Sequence, residues 1–315
     1  MGRRWVVALA LLAAVAAAAL VAPWVASGYW LRVFTTIFML AALAQSVNFI
    51  AGLAGYADFG NILYFGLGAY VTGFAMQHGV PAPLAIAAGA LCGATIALTI
   101  GRPILRLRGH YFAIATLGML EGTRELVTNL EFLGGGSGMN LPIISLPPRE
   151  FSALMYYLML GAAAAISLLA YLVRRSSLGL GLRAIKGDEQ AAAVMGIDAT
   201  RYKTIAWVLA AGCSAVVGGL YGLWRGFIEP GVAFDVVTGT QYFMMMLLGG
   251  PGTIAGPILG AFGLGLLDVL IWGQWQHGHL AILGVVIMAT VLFLPGGFVN
   301  SLRLPRTMRA RWSSR

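Results

Sequence analysis

Charged side chains are scarce in this chain of 315 residues, and their scarcity excludes most classes of protein. The chain has 20 basic and 11 acidic residues, about a tenth of its length, whereas soluble domains carry roughly a quarter. Hydrophobic residues make up 59%, glycine contributes 43 more, and the mean hydropathy is +0.85. Polar groups cannot cover a water-soluble surface at this composition. A soluble enzyme, a disordered tail and a secreted disulfide scaffold are therefore excluded.

Cysteine and lysine are nearly absent. Cys92 and Cys213 lie inside apolar runs, which is typical of small buried hydrophobic residues and indicates no redox compartment. The only lysines, Lys186 and Lys203, follow Ile185 and Tyr202 instead of the glycine that a nucleotide-binding P-loop requires. We therefore expect no nucleotide on this chain.

Catalytic and metal-binding motifs are also missing. The chain has no H-E-x-x-H, C-x-x-C or G-x-S-x-G sequence, so it predicts a protein that is not an enzyme and holds no cofactor. His277 and His279 form an H-x-H pair that could touch a metal. Because no cysteine or acidic residue lies near them, two interfacial histidines are the better interpretation, and no metal site is predicted.

Long apolar runs dominate what remains. An apolar helix needs about 20 residues to cross the hydrocarbon layer. Breaks at charges and Gly/Pro clusters give ten candidate spans: 5–26, 31–51, 62–78, 84–101, 111–129, 151–173, 204–224, 236–248, 257–272 and 280–299. The runs lack the alternation of a membrane β-barrel. The sequence predicts an all-α, polytopic bundle of about ten spans (8–10), forming a single transmembrane domain over 1–315.

The basic residues fix the orientation of these spans. With the N-terminus inside, 16 of the 20 basic residues fall on the cytoplasmic side, and only Arg32, Arg149 and Arg225 fall outside. Membrane proteins collect Lys and Arg in cytoplasmic loops, so both termini are predicted to be cytoplasmic, including a basic tail over 300–315. This explains the net charge of +9 without any nucleic-acid partner.

The first apolar segment allows two interpretations. Arg3 and Arg4, an apolar stretch and the small residues near Ala26 could form a cleaved signal peptide. The stretch from Trp5 to Ala26 is longer than a usual signal core, so an uncleaved first span is preferred.

The longest cytoplasmic loop, residues 174–203, contains a short predicted helix. Asp188 and Glu189 begin a run of helix formers that continues to Met195, and acidic residues suit a helix N-terminus. Gly196 follows as a stop signal. The helix could dock a partner closely through its alanines, or it could be a solvated linker.

This loop carries a family resemblance. The pattern E-x-A-A-x-x-x-G-I at 189–197 resembles the EAA loop of ABC importer permeases. The sequences LRAI at 182–185 and GIDATRYK at 196–203 are similar to branched-chain amino acid permeases of the hydrophobic amino acid uptake family. LRGHYFAIATL at 107–117 and GGPGTIAGPILGA at 249–261 agree and fit the M-type subunit. The resemblance spans roughly 35–300, and one departure is Asp58-Phe59-Gly60-Asn61, where many members have a serine and a histidine.

The resemblance implies a function and a set of partners. It implies a permease subunit of an ATP-driven importer in the bacterial plasma (inner) membrane, moving branched-chain or related hydrophobic amino acids inward by alternating access. The implied partners are an H-type permease, two ATPases that use ATP and Mg, a periplasmic or extracellular substrate-binding protein, and membrane lipid. Another small solute of the same family (urea, short amides or other amino acids) and an ion-coupled secondary transporter remain as alternatives. The implied ATPase-coupling residues are Arg183, Asp188, Glu189, Ala191, Ala192 and Gly196.

Four charged residues fall inside predicted spans. Glu121, Arg124 and Glu125 have spacings of three and four, which place them on one helical face, and Asp268 lies in the ninth span. Charges at that depth cost several kcal/mol unless paired or facing a polar interior. The first three could form an intramembrane ion pair, or they could line the translocation path or brace a subunit interface.

Glycine is concentrated at two cytoplasmic-side breaks between spans. The positions are Gly52, Gly55 and Gly60 in the first break, and Gly249, Gly250, Gly252 and Gly256 in the second. Glycine permits close helix packing, and broken helices expose backbone groups beside protein or a cavity. Close packing and a functional break both stay open as explanations.

On the external side, a glycine-rich loop over 131–150 is predicted to be flexible and, with the 225–235 loop, to receive the binding protein.

Overall fold

The computed structural model describes residues 21–272, apart from 22, 25, 26, 108 and 143, together with 284, 288 and 297–299. The last predicted span, the basic tail and the His277–His279 pair lie outside, or almost outside, the described residues. The same holds for the first predicted span and its alternative as a signal peptide.

The described residues form a helical bundle, as predicted. Its α-helices are α1 (Gly28–Val47), α2 (Ile62–Gln77), α3 (Ala82–Ile104), α4 (His110–Asn129), α5 (Pro148–Arg175), α6 (Ser177–Gly187), α7 (Glu189–Val194), α8 (Ala199–Arg225), α9 (Pro230–Ala233), α10 (Val236–Gly249) and α11 (Ala255–Trp272). A π-helical turn, Asn48–Gly52, extends α1, and two 3-10 turns, Glu131–Leu133 and Gly135–Ser137, follow α4.

Within the described ranges, five helical segments are long and apolar enough to cross a membrane. They are Gly28–Gly52, Ala82–Ile104, Pro148–Arg175, Ala199–Arg225 and Pro230–Gly249; Ile62–Gln77 and Ala255–Val269 are shorter apolar helices. Helix α4 also has 20 residues, but it is not apolar enough to count among these segments, because it contains the charged residues Glu121, Arg124 and Glu125. The total of about ten spans stays a prediction.

Helices α1 and α8 form the centre of the bundle. In the 18-residue apolar stretch of Gly28–Gly52, 89% of the residues are buried, and in that of Ala199–Arg225, 67% are buried. Helices α2 and α3 pack on α8, while α5 and α11 pack on α1. Helix α8 begins where the Asp198 carboxylate accepts a hydrogen bond from the Arg201 amide (3.1 Å) and ends at Gly226, whose φ is 69°. An acidic N-cap and a left-handed glycine are the expected signals for these two ends.

Small residues bring α2 and α8 into backbone contact. A Cβ added to Gly218 would overlap the backbone of Phe65, and one added to Gly68 would overlap the backbone of Ala215. Lipid supplies no hydrophobic force between helices, so close van der Waals packing of this kind holds them together. This supports the packing interpretation for part of the glycine content.

The 131–150 and 225–235 loops pair with each other through a short ladder. Strand β1 (Met139–Asn140) pairs antiparallel with β2 (Phe227–Ile228), placing Met139 opposite Ile228. Backbone hydrogen bonds thus join this part of the 131–150 loop to the 225–235 loop, while the flexibility of the loop stays a prediction. A two-residue ladder carries too little periodicity to be recognised in sequence.

We expect Gly218→Val to destabilise the bundle, because overpacking a close helix contact costs about 1–3 kcal/mol. The measurement is the thermal midpoint of the detergent-solubilised protein, followed by size-exclusion chromatography. Gly161→Val is the matched control, since a Cβ at Gly161 meets no atom within 4 Å. Equal midpoints for the two variants would contradict the close α2–α8 contact.

Candidate functional site

The loop over 174–203, which we call the coupling loop after the role that the resemblance implies, contains the short helix that the sequence predicts. Helix α7 runs from Glu189 to Val194, and the Asp188 carboxylate caps it by accepting bonds from the amides of Gln190 (2.8 Å) and Ala191 (3.1 Å). Met195 is the C-cap, and Gly196 follows with a φ of 82°. The prediction is confirmed, with the helix ending one residue earlier than expected.

Helix α7 buries only one narrow face. Ala192 is 4% exposed, whereas Val194 and Met195 are 88% and 82% exposed. Ala191 is also exposed, so the short side chains of α7 divide between the two faces. The apolar end of α7 is thus held out from the bundle.

Arg183 lies on α6, and its side chain reaches back to the end of α5. Its Nε donates to the carbonyl of Gly179 (3.1 Å), and a terminal nitrogen lies 3.5 Å from the carbonyl of Arg174. A cation at the C-terminal end of α5 is favourable because the carbonyl ends of the helix are negative. Arg183 therefore fixes the junction between α5 and α6.

A buried ammonium ties α7 to the rest of the protein. Lys203 is 1% exposed, and its Nζ donates to Glu189 Oε1, to the Tyr56 hydroxyl and to the Leu105 carbonyl, each at 3.0 Å. These bonds use all three donors of the ammonium. Tyr56 also donates its hydroxyl hydrogen to Glu189 Oε2, and its ring centroid lies 4.3 Å from Nζ.

The cluster of Lys203, Glu189 and Tyr56 joins three parts of the chain. Lys203 is the fifth residue of α8, Glu189 begins α7, and Tyr56 belongs to the non-helical segment after the π-helical turn. Leu105 follows α3, so the ammonium also compensates the negative end of that helix. Sequence reasoning placed Glu189 at a partner surface and overlooked Lys203 and Tyr56. The one available signal was that Lys203 is one of only two lysines in the chain.

A cavity of about 690 Å³ opens beside this cluster. It lies between the coupling loop and the first break, and its lining includes Gly55, Phe59, His110, Lys186 and Gln190. Burial lowers the pKa of the Lys186 ammonium below its ordinary value. The cavity leaves room for the loop and the break to change their separation.

The two glycine-rich breaks meet through one asparagine. Asn48 is 3% exposed; its Nδ2 donates to the Thr253 carbonyl (2.9 Å), and its Oδ1 accepts from the Gly252 amide (2.8 Å). Thr253 steadies the second break, since its hydroxyl donates to the Gly250 carbonyl (2.8 Å) and accepts from the Gly256 amide (2.9 Å).

The predicted glycines serve different purposes at these breaks. Gly55, Gly250 and Gly252 have φ values of 80°, 130° and 75°, which favour glycine. Gly60 faces the Thr116 backbone of α4, while Gly249 and Gly256 face each other, and any Cβ there would overlap. Both interpretations left open by the sequence therefore hold, each for some of the positions.

The departure at Asp58 and Asn61 lies inside the protein. Asp58 is 1% exposed and accepts bonds from the Trp207 indole (2.8 Å) and the Gly60 amide (3.0 Å). Asn61 is fully buried, and its Oδ1 accepts from the Ser214 hydroxyl (2.5 Å). Both residues bind the first break to α8.

The charged face of α4 points outward. Arg124 and Glu121 form an ion pair at 2.8 Å, with side chains 41% and 44% exposed, while Glu125 accepts from the Asn129 amide (2.9 Å). The structure thus brings Glu121 and Arg124 together and gives Glu125 another partner. Asp268 lies half-buried on α11.

The sequence of this chain matches a known protein family. Residues 29–294 match a family described as the branched-chain amino acid transport system, permease component. The chain belongs to this family. It is a multi-pass membrane protein and a permease subunit of an ABC importer, and it is not itself an enzyme.

Several curated relatives align over much of the chain. The high-affinity branched-chain amino acid transport system permease protein LivM of Escherichia coli (strain K12) is 26% identical over 311 residues, covering 89% of this chain and 72% of the relative. LivH of the same organism is 24% identical and covers 82% of this chain and 91% of the relative. BraD of Pseudomonas aeruginosa is 29% identical, covering 54% and 52%. No solved structure matches significantly.

We expect Glu189→Gln to destabilise the permease by about 3 kcal/mol, because it leaves the Lys203 ammonium buried without its counter-charge. Lys203→Met removes the charge itself, so the double variant should recover part of that loss, with a coupling of about 1–3 kcal/mol. Thermal unfolding of the four proteins in detergent measures this cycle. Strictly additive losses would contradict the ion pair.

Proposed function

We propose that this permease moves branched-chain or related hydrophobic amino acids into the cell by alternating access, in the bacterial inner membrane. It works beside a second, H-type permease, two cytoplasmic ATPases that use ATP and Mg, and an external substrate-binding protein. The observation that carries the proposal is the coupling loop, whose exposed helix α7 is tied by Glu189 to the buried Lys203. The names of the LivM and LivH relatives support the substrate class.

The surface of α7 supports ATPase docking. Val194 and Met195 are large apolar side chains held almost fully exposed on the side where most basic residues lie. Exposed apolar groups on a short rigid helix suit an apolar cleft on a partner. Asp188 and Gly196 act here by setting where α7 begins and ends, and Ala191 and Ala192 by keeping it narrow.

The outward face of α4 supports a place beside the translocation path or the second permease. Glu121, Arg124 and Glu125 would be costly against lipid, and Gly118 and Gly122 on the same helix meet no atom within 4 Å. A partner helix or a hydrated path covering this face removes that cost. Asp268 remains a candidate for the same path.

The external ladder supports a single surface for the binding protein. Pairing of β1 with β2 brings the 131–150 loop against the loop that carries Arg225 and Glu229, both exposed. Asp235 caps α10 by accepting bonds from the amides of Val237 (3.1 Å) and Thr238 (2.9 Å). Charge reversal at Glu229 would therefore probe this surface without disturbing a helix cap. Reversal at Asp235 would also remove the cap of α10.

Two alternatives are separated by experiment. Another solute of the same family, such as urea, a short amide or another amino acid, is distinguished by a binding assay on the cognate binding protein. An ion-coupled secondary carrier needs no ATPase-docking helix, so ATP depletion distinguishes it.

We expect the double substitution Val194→Asp/Met195→Asp to reduce co-purification of the ATPases with the permease about tenfold, because charge replaces the apolar contact. Phe132→Asp is the matched control, since Phe132 is 63% exposed on the opposite side. Recovery of the wild-type chain without any ATPase, together with uptake unaffected by ATP depletion, would overturn the importer proposal.

We expect Glu121→Gln to lower uptake about tenfold, corresponding to roughly 1.4 kcal/mol, because Arg124 loses its partner beside the path. Uptake into proteoliposomes is normalised to the amount of assembled complex. Thr95→Val is the control, because Thr95 is exposed on α3 and its hydroxyl donates to the Cys92 carbonyl of its own helix (2.9 Å). Normal uptake with normal assembly would rule out a path role for Glu121.

A further inference from the structure

The peptide of Gly52 lies where three segments meet. The Lys186 ammonium, from the end of α6, donates to the Gly52 carbonyl at 2.7 Å. On its other side, a Cβ added to Gly52 would overlap Asn48 Oδ1 and lie 2.7 Å from the Gly252 amide nitrogen. Gly52 therefore contacts the coupling loop and the second break at once.

Asn48 makes this contact a hydrogen-bonded one. It bridges two residues, Gly252 and Thr253, that lie more than 200 positions away in sequence. Both ends of its amide are used, and the side chain is 3% exposed. Separating the two breaks would leave the amide and two backbone groups unsatisfied in an apolar interior, which is costly.

The second break is a short turn whose backbone depends on glycine. It consists of the turn over 250–254 between α10 and α11, in which Gly250 and Gly252 adopt left-handed φ values. On the loop side, Lys186 borders the cavity of about 690 Å³. Because the Lys186 ammonium holds the Gly52 carbonyl directly, a displacement of the end of α6 would move the first break with it.

We propose that Lys186, Gly52 and Asn48 form a mechanical junction that transmits movement of the coupling loop to the turn before α11. Lys186 and Asn48 are positioning residues, since they act through the two breaks and touch no substrate. This inference rests on the proposed importer function. It adds a route by which ATPase closure at α7 reaches α11, a helix that packs on α1.

The first test measures coupling in proteoliposomes containing the complete complex, the binding protein and leucine. ATP hydrolysis is catalysed by the partner subunits, so Lys186→Met and Asn48→Ala should reduce leucine uptake about fivefold more than stimulated hydrolysis. Lys186→Arg keeps a donor and should restore the wild-type ratio of uptake to hydrolysis. Thr99→Val is the control, because the Thr99 hydroxyl bonds only to carbonyls of its own helix, at 3.0 Å.

The second test follows the turn directly. Ala255, exposed at the start of α11, is replaced by cysteine in a background carrying Cys92→Ala and Cys213→Ala. Maleimide labelling of the complete complex should change rate about threefold on addition of ATP and vanadate, and Lys186→Met should abolish that change.

The outcomes separate the junction from a purely structural role and from the importer proposal. Uptake and hydrolysis that fall in proportion, or a labelling response that survives Lys186→Met, would overturn the junction. If Asn48→Ala fails to assemble, Lys186→Met and Lys186→Arg decide the matter alone. A wild-type complex whose uptake ignores ATP would overturn the importer function itself, a result visible before any variant is compared.

Discussion

A helix that stops inside an apolar bundle leaves peptide groups without partners, and lipid offers none. This constraint governs the protein, because α1 and α10 both end in glycine-rich breaks near the same side of the bundle. The structure satisfies each break from elsewhere in the chain: Asn48 serves Gly252 and Thr253, and Lys186 serves Gly52. The central packing of α1 and α8 holds these partners in register, so the breaks persist as defined turns.

Because charged and polar side chains are scarce in this chain, the structural role of each buried one can be identified from its partners. Lys203 is buried because Glu189, Tyr56 and Leu105 together replace its water shell. Asp58 is buried with the indole of Trp207 and the amide of Gly60. Neither Lys203 nor Asp58 is exposed enough to contribute to solubility. They connect the first break to α3, α7 and α8, which makes this end of the bundle one connected unit.

Sequence reasoning predicts the helices well and their connections poorly. Apolar runs, acidic caps and glycine stops locate α7 and most spans within a few residues, since those signals are local. The partners of Asn48 and Lys203 lie up to 205 and 147 positions away, and no local pattern encodes them. The β1–β2 ladder was missed for the same reason. Glu121 and Arg124 were paired correctly because their spacing of three is itself local.

The crowding around Gly52 also bears on how this sequence can change over time. No side chain fits at position 52 while Asn48 and Gly252 keep their places, because a Cβ there would overlap both. A substitution at one of these positions is tolerated only when the others shift with it. The two glycine-rich segments, about 200 positions apart in sequence, therefore place a joint steric constraint on substitution.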